Sequence, residues 1–418
     1  MSYTSSATFD LEELTFVLTD MLDMLDADNH QHGKRVAYLV SEIAVEMGWS
    51  PKTIQELVFG GLLHDFGISS SREFQQVVDA GLKRPEGFLP HCKAGWMALA
   101  SFDPYCSLAT LALYHHSPWS RMMADRFPDK ERAILSNAIF LADRIDVLTA
   151  YYPKASILAH VEKIQGEIRP HAGGLFAPEL VEAFMRASRK GSFWLCLDVP
   201  SELERILRSR VLEKESPLTF KQMRQFASLF AQVVDAKSPF TADHSHGVAR
   251  LARGMGGWLG LDKTTIQWIE IAGLLHDIGK MRVPDEVLEK KGALTADERA
   301  IIQRHSFDSY QILSRIEPFE KVARWAGFHH EKPSGDGYPY RLEGEKLELE
   351  ARLIAVADIF QALVQNRPYR RPLSKEKALD ILQNMATVGH QDTELVNLLG
   401  RNLQESWELA TTPTELAA

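Results

Sequence analysis

The sequence is poor in cysteine, in surplus positive charge and in long apolar runs, and each lack narrows the reading. Cys92, Cys106 and Cys196 are the only cysteines among 418 residues. They form neither an even set nor a C-x-x-C spacing, so no disulfide framework is expected and a reducing cytoplasm is the simplest location. The net charge of −9 argues against duplex nucleic acid or an anionic membrane as a partner, because both require a basic surface that displaces counterions. An anionic substrate would have to be held by local cations. No run approaches the roughly 18 consecutive apolar residues of a membrane span. The opening segment MSYTSSATFDLEELTFVLTDMLDMLDADNH lacks the basic, apolar and small-residue regions of a secretory signal, and reads as a first helix. Convincing alternating strands are also missing.

Helical periodicity is abundant. Val36, Leu39, Val40 and Ile43 share one face, as do Val248, Leu251, Ala252, Met255, Trp258 and Leu259. Thr295 followed by Glu298 ahead of Ile301 and Ile302 predicts a capping box at a helix start. The fold class is therefore all-α, and the length favours two domains.

Ordering the histidines and aspartates shows one pattern written twice. The first half carries His32, His64-Asp65, His91, His115-His116 and Asp143; the second carries His244, His276-Asp277, His305, His329-His330 and Asp358. The step from His32 to His64 and that from His244 to His276 are both 32 residues, and the steps His91 to His115 and His305 to His329 are both 24. GGLLHDFG matches AGLLHDIG, and FLADRIDVL matches IAVADIFQAL. Two tandem copies, residues 1–212 and 213–418, follow. A segment from about Leu195 to Ser216, with Pro200 and Pro217 near its ends, is expected to join them.

Seven imidazole and carboxylate groups in the order H…HD…H…HH…D resemble the HD superfamily of metal-dependent phosphohydrolases. Two metal ions answer the difficulty of attacking an anionic phosphodiester. They neutralise its oxygens, lower the pKa of a water and orient that water in line. Ligands of this type suit Fe, Mn or Zn better than Mg or Ca. HDIGK (His276 to Lys280), HHEKPSGDGYP (His329 to Pro339) and ADIFQALVQNRPYRRP (Ala357 to Pro372) narrow the resemblance, over about Phe220 to Leu399, to the HD-GYP family of cyclic-dinucleotide phosphodiesterases.

That resemblance implies one divalent transition-metal ion on His244, His276, Asp277 and Asp358, and another on Asp277, His305, His329 and His330, with Asp277 as bridge. Fe or Mn leads, with Ni, Co and Zn as alternatives. Lys280 and Asp277 are the expected catalytic residues, and Lys280, Arg367, Tyr369, Arg370 and Arg371 the expected substrate contacts. Gly335, Gly337, Tyr338 and Pro339 would form the loop bordering the site. His246 and His390 fit no ligand position and are read as structural. The implied reaction opens cyclic di-GMP or cyclic GMP-AMP to the linear dinucleotide or further to mononucleotides. A cyclase or other signalling protein at the GYP loop, and a homodimer, are partners the resemblance raises.

Three departures qualify it. Ser334 stands where the family has Asp, with Asp336 two residues on; Gln361 replaces an Asp; and Phe240 occupies the place of the Glu found in three-metal members, so two ions are expected. The first copy retains His32, His64, Asp65, His91, His115, His116 and Asp143. It has Ile68 at the lysine position and HHSPWSRM in place of the GYP loop. A metal- or ligand-binding regulatory domain, a hydrolase of other specificity and a structural or dimerising unit all remain open for it. For the second copy the rivals to hydrolysis of cyclic dinucleotides are a silent binding module and a mononucleotide phosphohydrolase.

Overall fold

The computed structural model describes residues 10–25, 31–79, 81–82, 90–125, 127, 129–212, 218–237, 243–366 and 371–413. Phe240, Arg367, Tyr369, Arg370 and Pro217 lie outside these. Among the described residues there is no strand; one isolated bridge joins Ala172 and Phe176. The chain forms two compact units, the first within residues 10–217 and the second within 218–418. The all-α expectation holds.

In the first unit, helices His32–Glu46 and Pro51–Leu63 pack as neighbours, and Lys130–Ala150 crosses the former. Val36, Leu39, Val40 and Ile43 are all fully buried, as their spacing predicts. Each such side chain contributes roughly 1.5–3 kcal/mol by leaving water. The second unit repeats the arrangement with His244–Trp258, Lys263–Leu275 and Leu349–Val364. Val248, Leu251, Ala252 and Met255 are buried there, whereas Leu259, the cap residue at the helix end, is exposed.

Thr295 and Glu298 form the expected capping box on Ala296–Leu313, each side chain bonding the other's backbone N–H. Ile301 on that helix is nevertheless exposed. Within the segment expected to join the copies, the helix Pro200–Ser209 packs against His32–Glu46 in the first unit. Its Leu203 and Leu207 are fully buried and its Arg208 reaches Glu12 at 3.1 Å, so it belongs to that unit's fold. No helix among the described residues is long and apolar enough to cross a membrane.

Candidate metal centres

Helix ends place most of the ligands. A helix leaves its last carbonyls without intrahelical partners, and a histidine just past the end can use one. His276 follows Lys263–Leu275 and its Nδ1 donates to Gly273 O at 2.8 Å. His329 follows Glu320–Gly327 and its Nδ1 donates to Ala326 O at 2.5 Å. His305, within Ala296–Leu313, donates from Nδ1 to Ile302 O at 2.6 Å. A carbonyl only accepts, so in the neutral ring the proton is fixed on Nδ1 and Nε2 carries the lone pair that faces the centre.

Asp277 sits between two sets of such nitrogens. Its Oδ2 is 3.3 Å from His276 Nε2 and 3.6 Å from His244 Nε2, while its Oδ1 is 3.4 Å from His305 Nε2. Asp358 Oδ1 lies 3.2 Å from His244 Nε2. His244, His276 and Asp358 thus form one group within metal-ligating reach and His305, His329 and His330 another, with a carboxylate oxygen turned to each. His276 Nε2 is buried and makes no hydrogen bond of good geometry among the described residues, which is what a ligand awaiting a cation requires. The imidazole and carboxylate donors fit transition-metal ions.

Electrostatics favour neutral donors on the His305 side of the centre. Burial, and the neighbouring histidine His330, hold His305 down at about 3, so it is a neutral donor near pH 7. Burial likewise lowers His330 to about 4. Burial alone would lower His276 too, but the Asp277 carboxylate outweighs it and raises that group to about 9, so with no cation in the centre His276 holds a proton on Nε2 that a metal ion must displace. Asp277 stays ionised well below the ordinary carboxylate range, because His276 and Lys280 outweigh the cost of burying it.

The glycine of HDIG has a physical reason. A Cβ on Gly279 would lie 2.1 Å from His305 O and 2.8 Å from Ser309 N, so the turn after His276-Asp277 can touch the His305 helix only without a side chain. Gly67 is in the same position against His91 O. Gly279→Ala should displace backbone, costing about 1–3 kcal/mol, and should lower the melting temperature and the metal content together. Normal values for both would refute this account of the motif.

The first copy reproduces the constellation. Asp65 Oδ2 is 3.3 Å from His64 Nε2 and 3.8 Å from His32 Nε2, and its Oδ1 is 3.3 Å from His115 Nε2 and 3.6 Å from His91 Nε2. His32, His64 and Asp143 form one group, and Asp65, His91, His115 and His116 the other. The Asp143 side chain is 1% exposed against 13% for Asp358, whereas the bridging Asp65 is the more open, at 12% against 4% for Asp277. Ile68 is buried at the lysine position. Buried Arg144 bonds Asp143 Oδ2 at 2.6 Å and spends its Nη1 on the carbonyls of Val77 and Gly81.

Among the expected substrate contacts, Lys280 is placed at the centre, its Nζ 2.5 Å from Asp277 Oδ2 and its side chain 24% exposed. Arg371 is exposed; Arg367, Tyr369 and Arg370 are outside the described residues. Phe240, on which the expectation of two ions and not three partly rests, is also outside them. Tyr338 of the GYP loop packs its ring 4.9 Å from that of His330. Ser334 bonds Asp336 Oδ1 at 2.5 Å, Asp336 also pairs with Lys332, and Ser334 N donates to Gly389 O at 3.0 Å, so the polar groups of this stretch are paired at the surface. His246 is held by Ser228 at 2.7 Å and His390 lies 3.5 Å from Asp336, and neither belongs to a ligand group.

Sequence reasoning missed several supporting residues. Glu331, buried, accepts from Tyr340 N at 2.6 Å and Leu342 N at 2.9 Å and so folds the GYP loop back on the helix end. Asp235 accepts from Ser245 N and Asp23 from Gly33 N, both at 3.1 Å, each anchoring the first turn of the helix that bears the first histidine. The signal was available, since both aspartates precede that histidine by nine residues. A cavity of about 870 Å³ is lined by Asp243, Gln361, Leu373 and Trp407 among others, and none of the seven ligand-type residues of the second copy lines it.

Paired histidine and aspartate clusters inside a helical unit define the HD-domain class of metal-dependent phosphohydrolases, and the HD domain family description matches residues 29–148 and again 211–395. A 3′3′-cGAMP-specific phosphodiesterase 1 of Vibrio cholerae is 33% identical over 97% of this chain and 95% of its own. Phosphodiesterase 3 of the same name and organism is 28% identical over 90% and 91%. The crystal structure of a cyclic GMP-AMP specific phosphodiesterase of V. cholerae superposes with a TM-score of 0.63 at 26% identity, covering 95% of this chain and 98% of that one. A cyclic di-GMP phosphodiesterase response regulator of Xanthomonas campestris is 37% identical over 38% of this chain and 43% of its own. The chain belongs to the HD-GYP family of phosphodiesterases.

Proposed function

We propose that the second copy is a metal-dependent phosphodiesterase that opens a cyclic dinucleotide, with 3′3′-cGAMP as its preferred substrate. One observation carries the reading: Asp277 turns one oxygen to each of two histidine groups, which is the geometry of a bridged pair of ions. Two ions of Fe or Mn held there would neutralise phosphate oxygens and activate a water. Lys280 supplies a compact cation at the rim, and Tyr338 and the GYP loop wall one side. The preference for cGAMP is supported by the relatives that align over both copies, which carry that name, while the response regulator named for cyclic di-GMP aligns over 38% of the chain. Comparing turnover of the two dinucleotides tests it; a faster rate on cyclic di-GMP would reverse the assignment. A silent binding module is not favoured, because all seven ligand side chains and Lys280 converge on one centre.

The first copy is proposed as a metal-holding regulatory unit. Its seven ligand-type side chains converge, yet Ile68 brings no charge to a phosphate and Arg144 occupies Asp143. Coupling requires that its loaded and empty states favour different forms of the whole chain. His64→Ala with Asp65→Ala should change the activity or oligomeric state of the full-length protein while leaving the chemistry of the second copy intact. Hydrolysis of a cyclic dinucleotide by a Met1–Leu212 fragment would show a second enzyme instead.

A further inference from the structure

The two centres differ in how the first histidine is held, and the difference involves two positions at once. One turn beyond Asp143 on its helix stands Asp146; one turn beyond Asp358 stands Gln361. Asp146 Oδ2 lies 2.7 Å from His32 Nδ1, and Gln361 Oε1 lies 2.6 Å from His244 Nδ1. Both partners fix the same tautomer, but one is a carboxylate and the other a neutral amide.

The residue three places after each histidine changes in step. Arg35 donates to both oxygens of Asp146, at 2.6 and 2.9 Å, so the first copy balances its buried carboxylate with a buried guanidinium. The second copy has Gly247 there. A Cβ at Gly247 would stand 2.9 Å from both Gln361 Cγ and Gln361 Nε2, and 2.6 Å from Ala410 O. Gln361 therefore fits against His244 because position 247 has no side chain. Its Nε2 donates to Ala410 O at 3.4 Å, which directs Oε1 to the histidine. An Arg–Asp ion pair in one copy thus answers to a Gly–Gln pair in the other.

A histidine whose Nδ1–H is given to a carboxylate is a more basic ligand than one bound to an amide, and such outer partners are worth about 10- to 100-fold in metal affinity. We infer that Gln361 is a positioning residue that fixes His244 while keeping its outer partner neutral, that Gly247 makes room for it, and that this pair sets a weaker, more exchangeable metal position at His244, His276 and Asp358 than a carboxylate would give. The inference rests on the two-ion reading above.

Cobalt(II) binding to the full-length protein, measured by chelator competition with its visible absorption as readout, tests it. The first copy contributes equally to every variant. Gln361→Glu should bind cobalt on the order of tenfold more tightly and shift the visible bands, whereas Gln361→Leu should bind 10- to 100-fold more weakly. Gly247→Ala should weaken binding as Gln361→Leu does; should it fail to fold, the two Gln361 variants decide. Opposite signs for Glu and Leu are the mark of a charge effect, because lost packing would weaken both. If both variants weaken binding alike, or if neither moves it beyond a few-fold while the wild type binds and hydrolyses, the role assigned to Gln361 is wrong. If the wild-type protein takes up no cobalt, the two-ion reading itself fails.

Discussion

Asp277→Ala is expected to remove turnover and metal together, with hydrolysis falling by on the order of 10³-fold or more, beyond the loss of a single transition-state donor. The expectation follows from the division of its two oxygens between the His276 and His305 sides. Removing a side chain that serves only one group would spare the other; removing Asp277 takes the shared charge from both, leaving Asp358 as the one carboxylate of the first group and imidazoles alone in the second. His276→Ala should lose metal as well, starting from the group it shares with His244 and Asp358. Elemental analysis alongside an activity assay checks both variants. Full hydrolysis at normal metal content in either would mean that the centre is elsewhere.

Lys280→Ala should separate rate from metal content. Its ammonium lies 2.5 Å from the Asp277 carboxylate and helps keep that group ionised, but its side chain is 24% exposed, at the edge where an anionic substrate arrives. A compact, strongly hydrated cation of this kind suits a phosphate oxygen that gains charge during cleavage. The variant is expected to retain its metal and to lose about 10²–10³ in rate, the scale for one positioned donor to transition-state charge. A rate within a few-fold of wild type would make Lys280 an ordinary partner of Asp277, and loss of metal would make it a support of the centre instead.

Much of the centre could be read from spacing because its ligands are polar side chains that helical burial would otherwise exclude. His244, His276, Asp277, His305, His329, His330 and Asp358 all converge, and so do their counterparts in the first copy. The residues that hold those ligands were harder to find. Backbone carbonyls such as Gly273 O and Ala326 O are present at every position of any sequence, and only the fold shows which are free. Glu331 was passed over as part of a motif string, although its two backbone hydrogen bonds close the loop that the motif names. Gln361 was legible only as a departure; its bond to His244 and its dependence on Gly247 needed the geometry. The helix Pro200–Ser209 lies in the segment expected to join the copies, yet Leu203 and Leu207 give it a buried face.

The most direct test of the account is to incubate the purified full-length protein with Mn(II) or Fe(II) and, in parallel, with 3′3′-cGAMP and cyclic di-GMP, and to identify the products. The account predicts metal-dependent opening to the linear dinucleotide, faster on 3′3′-cGAMP and abolished in Asp277→Ala. Failure of the metal-loaded protein to open either dinucleotide would contradict it.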